Sequence, residues 1–104
     1  MAPGAAPAGP VGTSFEVFGK VQGVYFRKYT QQQAERLGLC GWVMNTARGT
    51  VVGEAFGPAE AVAALKAWLK KTGSPKSRID RAEFAASEAP AAAGAGTGAF
   101  VVKR

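Results

Sequence analysis

Phe15-Glu16-Val17-Phe18-Gly19-Lys20-Val21-Gln22-Gly23-Val24-Tyr25-Phe26-Arg27 passes from a short apolar, β-prone run through a glycine-bearing connection into helical periodicity. Beyond it, Phe26, Thr30, Ala34 and Leu37 recur at the spacing of one helix face. Gly38 stands where a helix ends in a left-handed residue. The stretch therefore predicts a strand, a loop opening at Gly19, and a helix.

Working outward, Leu39–Met44 predicts a second strand, with Cys40, Trp42 and Met44 on one face and Gly41 and Val43 on the other. Asn45-Thr46-Ala47-Arg48-Gly49 reads as a hairpin turn and Thr50–Phe56 as the antiparallel return. Pro58 suits a first helical position, and Val62, Leu65 and Trp68 or Leu69 form the stripe of a second helix. Glu60 in its first turn and Lys70-Lys71 in its last complement the helix dipole, and Gly73 stops it. Arg78–Phe84 predicts a further strand. Ala85–Ala99 is of low complexity, and Phe100–Arg104 can close the sheet as a short last strand. The order β-α-β-β-α-β, with that extra strand, is the α+β ferredoxin-like split βαβ sandwich: a mainly antiparallel sheet with two helices on one face.

A chain of 104 residues suits one compact domain. Its 47% hydrophobic and 19% charged residues are those of a globular protein. Of 14 glycines and 6 prolines, half fall in residues 1–12 and 85–99. The division expected is thus a flexible Ala/Pro/Gly tail over residues 1–12 and a single domain over 13–104. With no histidine and one cysteine, Cys40, the chain cannot form an internal disulfide, a His/Cys zinc site, or a histidine-activated nucleophile. Thirteen basic against seven acidic residues leave a formal charge of +6, which favours anionic partners. Neither a basic-plus-apolar leader at Met1 nor an apolar stretch of membrane-spanning length is present, so a cytoplasmic protein that does not enter the membrane is expected.

The loop from Gly19 to Arg27 allows two readings on spacing alone. It is either an ordinary strand-to-helix connection or an anion site. In the second case, unpaired N–H groups at a helix N-terminus, glycines free to adopt positive φ, and an arginine would converge on phosphate oxygens. It is not a nucleotide P-loop, because Val24 follows Gly23 where Gly-Lys-Ser/Thr would be required.

The same stretch resembles the signature of the acylphosphatases, small hydrolases of carboxyl-phosphate anhydrides. Gly41-Trp42-Val43-Met44-Asn45-Thr46 with Arg48-Gly49-Thr50-Val51 is similar to the family's second motif. Gly73-Ser74-Pro75 and Ser77-Arg78-Ile79-Asp80-Arg81 extend the likeness, which covers about Ser14 to Phe84. It departs from the family at Tyr25, where some relatives have a smaller residue, at Met44, where lysine is frequent, and in the Ala/Gly-rich segment before the last strand.

The resemblance implies that Arg27 binds the substrate phosphate together with the backbone amides of Gln22, Gly23, Val24, Tyr25 and Phe26. It also implies that Asn45 orients the attacking water and that Thr46 supports the Asn45 turn. No cofactor and no metal are implied. The expected partners are a small-molecule acyl phosphate and its product inorganic phosphate, also a competitive ligand, with the chain a monomer. The alternative is a non-catalytic, acylphosphatase-like anion-binding or regulatory module. The water's proton is expected to go to the substrate phosphate, since a carboxylate leaving group needs no strong protein acid.

Other features carry less. Gly94-Ala95-Gly96-Thr97-Gly98-Ala99 matches a dinucleotide-binding spacing but lacks the strand before it and the chain after it. An RNA-recognition fold would need aromatic residues where Thr50, Val52 and Ala55 stand, so no specific nucleic acid is expected. Trp42, Trp68, Phe15 and Phe56 are expected in packing positions, and Cys40 as a half-buried, unreactive thiol. Arg78, Asp80 and Arg81 are expected to form a surface ion-pair cluster, with Lys20, Lys28 and Arg48 flanking the pocket.

Overall fold

The computed structural model describes residues 11–87 and 100–103. Strand β1 (Val11–Lys20) leads through the loop into helix α1 (Phe26–Arg36), followed by β2 (Cys40–Asn45) and β3 (Val51–Gly57). Helix α2 (Ala59–Lys71), β4 (Arg78–Ser87) and β5 (Phe100–Val102) complete the chain order. The sheet runs β4-β1-β3-β2-β5, with β3 antiparallel to both β1 and β2 and β5 parallel to β2 at the edge. The β1–α1–β2 unit is therefore split by β3, as expected of the ferredoxin-like α+β fold.

Alternation along the strands decides which face is covered. Phe15 and Val17 of β1, Val43 of β2, and Val51 and Ala55 of β3 are buried on the helix side. They meet Phe26 and Ala34 of α1 and Val62, Leu65 and Leu69 of α2. Each large apolar side chain so buried contributes about 1.5–3 kcal/mol. Trp68 packs beside this core, its ring centroid 5.7 Å from that of Phe26.

Helix α1 ends in a Schellman turn: Gly38 N–H donates to Glu35 O at 3.0 Å and Leu39 N–H to Ala34 O at 2.9 Å. That tight reversal sends the chain directly into β2, so the end of β2 returns to the N-terminal end of α1. Helix α2 begins at Ala59, with Pro58 as its extended N-cap rather than its first helical residue, and it stops before Gly73, as the sequence predicts.

Three readings are adjusted. Val11 and Gly12 belong to β1, pairing with Gly57 and Phe56, so the sheet starts before Thr13; residues 1–10 lie outside the described residues. Ala85–Ser87 continue β4 rather than opening the low-complexity stretch, and the Gly94–Ala99 motif lies outside the described residues. Trp42 and Phe56 sit on the sheet face opposite the helices. There Trp42 donates Nε1–H to Glu54 Oε1 at 3.0 Å, and Phe56 is buried beside Gly12. A period of two fixes only that Trp42 and Val43 face apart; the core takes Val43, the β-branched member that fits beneath α1.

Candidate active site

The loop opens after Lys20 rather than at Gly19: past the register shift between Phe18 and Gly19, β1 still pairs Gly19 with Ile79 and Lys20 with Arg78. Gly19 has φ 131°, and a Cβ there would lie 2.1 Å from Arg78 O, so the two strands approach too closely for any side chain. Gly23 has φ 72° with open space around it, which leaves room for a ligand against the backbone. Tyr25 also takes a left-handed conformation, φ 59° and ψ 25°, at the N-cap of α1.

The consequence is a set of unpartnered donors. No side chain caps α1, and its first backbone bond runs from Tyr29 N–H to Tyr25 O at 3.0 Å. Among the described residues, the N–H groups of Gln22, Gly23, Val24, Tyr25 and Phe26 find no protein acceptor. Orphan donors at the positive end of a helix are what an anion site is built from.

Gly23, Tyr25, Phe26, Arg27 and Asn45 line one cavity of about 620 Å³, which also takes in Val21, Lys28, Gln31 and Val102. Among the described residues, no carboxylate lines it. The side chains of Gln22 and Val24 turn elsewhere: Val24 into the core, Gln22 to the β2–β3 turn. Neither residue is part of the cavity lining. Arg27 is held by a bond from Nη1 to Lys103 O at 3.2 Å. Among the described residues, Asn45 Oδ1 and Ser74 Oγ are the buried side-chain polar atoms without a hydrogen-bond partner, and only Asn45 faces this cavity. A buried carbonyl oxygen so placed requires a donor such as water.

The β2–β3 turn is tied down on the other side. Thr46 and Thr50 hydroxyls meet at 2.7 Å, Thr50 Oγ1 donates to Glu16 Oε2 at 2.7 Å, and Arg48 Nη2 donates to the same carboxylate at 2.7 Å. The Arg48 guanidinium and then the Thr50 hydroxyl hold the Glu16 carboxyl below the usual carboxylate range. Of the flanking cations expected, only Lys28 lines the cavity with Arg27. Lys20 and Arg48 instead share a second depression with Arg78, Asp80 and Arg81. Arg78 pairs with Asp80 at 3.1 Å and Arg81 with Glu83 at 3.3 Å, so that cluster is an ion-pair surface. Sequence reasoning missed the role of β5, whose Val102 lines the cavity and whose trailing Lys103 carbonyl holds Arg27. The apolar run Phe100-Val101-Val102 was the available signal.

A split βαβ domain with an uncapped helix end, an arginine and a buried amide around one cavity defines a phosphate-handling protein. The comparisons with known proteins specify which. The acylphosphatase family profile matches residues 13–95. Acylphosphatase-1 of Xenopus tropicalis is 60% identical over 75 residues, covering 72% of this chain and 76% of its own length. Acylphosphatase-1 of Gallus gallus is 60% identical over 80 residues, covering 77% and 81%. Among solved structures, an acylphosphatase from Coxiella burnetii superposes with a TM-score of 0.80 at 28% identity, covering 99% of this chain and 100% of its own. The chain belongs to the acylphosphatase family, hydrolases whose substrates are small acyl phosphates. No described helix is long and apolar enough to cross a membrane.

Proposed function

We propose that the unpartnered N–H groups of Gln22 to Phe26 and the Arg27 guanidinium bind the phosphoryl group, while Asn45 positions the water that attacks it. The orphaned donors at the uncapped start of α1 carry this reading. Water donates a hydrogen bond to the lone acceptor Asn45 Oδ1, and its oxygen forms the new P–O bond. The bond between phosphorus and the acyl oxygen breaks, and the carboxylate departs with the electron pair. The water's proton passes to a phosphate oxygen, so the products are a carboxylate and inorganic phosphate. Positioning and charge stabilisation are the protein's contribution, and loss of one aligned donor costs about 3–4 kcal/mol of barrier.

The side-chain chemistry lining the cavity calls for no cofactor in this scheme. Inorganic phosphate, sharing the cradle, is a competitive ligand. We further propose a cytoplasmic monomer: the single cysteine, Cys40, is a free thiol and needs no oxidising compartment. Light scattering in solution tests the monomer, and cell fractionation the compartment. The same reading expects no specific binding of nucleic acid.

Benzoyl phosphate hydrolysis by the wild type, Arg27→Ala and Asn45→Ala tests the roles. Arg27→Ala is expected to lose both turnover and phosphate inhibition. Asn45→Ala should lose about a hundred- to a thousandfold in kcat while phosphate still inhibits. A fully active Asn45→Ala variant contradicts the water-positioning role.

A further inference from the structure

We propose that Gln22 is a positioning residue that aligns the water-orienting Asn45 with the phosphate cradle. Its side-chain Nε2 donates one hydrogen to Thr46 O at 2.8 Å and the other to Thr50 O at 2.9 Å. Those carbonyls lie 24 and 28 residues along the chain, on the two arms of the turn that follows Asn45. The same turn is closed by Thr46 N–H to Thr50 O at 2.9 Å and by the paired threonine hydroxyls. Gln22 thus joins two parts that otherwise belong to different elements: its own backbone N–H is a cradle donor, and its amide grips the residue adjoining Asn45.

The geometry excludes a direct role for this side chain. Both of its amide hydrogens are engaged, and the side chain does not line the cavity. It can act on the reaction only by setting where Asn45 Oδ1 stands relative to a phosphate on the loop. A displacement of about 1 Å between reacting groups costs on the order of a hundredfold in rate. Two charge-neutral hydrogen bonds across that junction are therefore a larger lever on turnover than on binding.

The inference rests on the water-positioning role proposed for Asn45, and a double-mutant cycle separates the two. Gln22→Met keeps the length of the side chain and removes both donors. Gln22→Asn keeps an amide but is one methylene too short to span both carbonyls. The expected result for each is a kcat lowered about ten- to a hundredfold, with inhibition by inorganic phosphate weakened by a clearly smaller factor than kcat. In the Asn45→Ala background, Gln22→Met should lower kcat by less than about threefold, because the aligned group is already gone.

Effects that multiply in the double variant overturn this inference and leave the Asn45 role standing. So does a loss of phosphate inhibition with kcat preserved. An Asn45→Ala variant with full activity removes the Asn45 role and this inference together. If both Gln22 variants fail to fold by near-ultraviolet circular dichroism, the residue is structural and the positioning role is wrong.

Discussion

Tyr25 holds a left-handed backbone at φ 59° while 74% exposed, so its side chain gains little from burial to offset the conformation. A non-glycine residue there costs about 1–2 kcal/mol. Tyr25→Gly should stabilise the fold by up to about 1 kcal/mol in urea denaturation, the gain reduced by the greater freedom of glycine in the unfolded chain. An unchanged or lower stability would mean that Tyr25 makes compensating contacts. The conformation itself was not legible in the sequence, since nothing in Val24-Tyr25-Phe26 announces a positive φ. Gly19 and Gly23 were legible, because glycine is what such backbones ordinarily select. Arg27 and Asn45 were identified through resemblance to the family motifs and are brought to one cavity by the fold.

Between elements, the contacts of β1 with its neighbours decide how the loop is presented. Gly19→Ala would drive a Cβ into the Arg78 carbonyl of β4, so a loss of at least about 2 kcal/mol is expected in urea denaturation. The β2–β3 turn is bound to β1 through Glu16, whose carboxyl is held below its ordinary 4.5 by Arg48 and Thr50. With the folded value lowered, the ionised carboxylate stabilises the protein above about pH 4.5 and ceases to do so as pH falls through the lower folded value. Glu16→Gln should therefore flatten the fall in urea midpoint across that acidic window and change its pH dependence little near neutrality; an unaltered acid profile would contradict the coupling. The order of elements was readable from period and glycine placement. The pairing of β5 with β2 was not, because the preceding segment of Ala, Gly and Pro has no pattern that sets a register.

For the whole molecule, the formal charge of +6 is unevenly used. Arg48, Arg78 and Arg81 are paired with carboxylates, whereas Arg27 and Lys28 line a cavity to which no carboxylate among the described residues contributes. Screening falls hardest on such an uncompensated site, so kcat/KM for a dianionic acyl phosphate should drop as ionic strength rises toward about 0.1 M, where the Debye length is about 10 Å. A kcat/KM independent of salt would show that these cations do not act on the incoming substrate. A ligand that binds only the folded state also stabilises it, by about 2.7 kcal/mol at a hundred times its Kd. Inorganic phosphate should accordingly raise Tm for the wild type and leave Arg27→Ala unmoved.

The central claim is that five backbone N–H groups, Gln22 to Phe26, hold the phosphate. Titration of the ¹⁵N-labelled protein with inorganic phosphate reads those groups individually. Their amide resonances should shift together with the Arg27 side chain, with a single dissociation constant equal to the inhibition constant measured with benzoyl phosphate. Saturable shifts confined to other residues, with Gln22 to Phe26 unmoved while phosphate inhibits, would contradict the account.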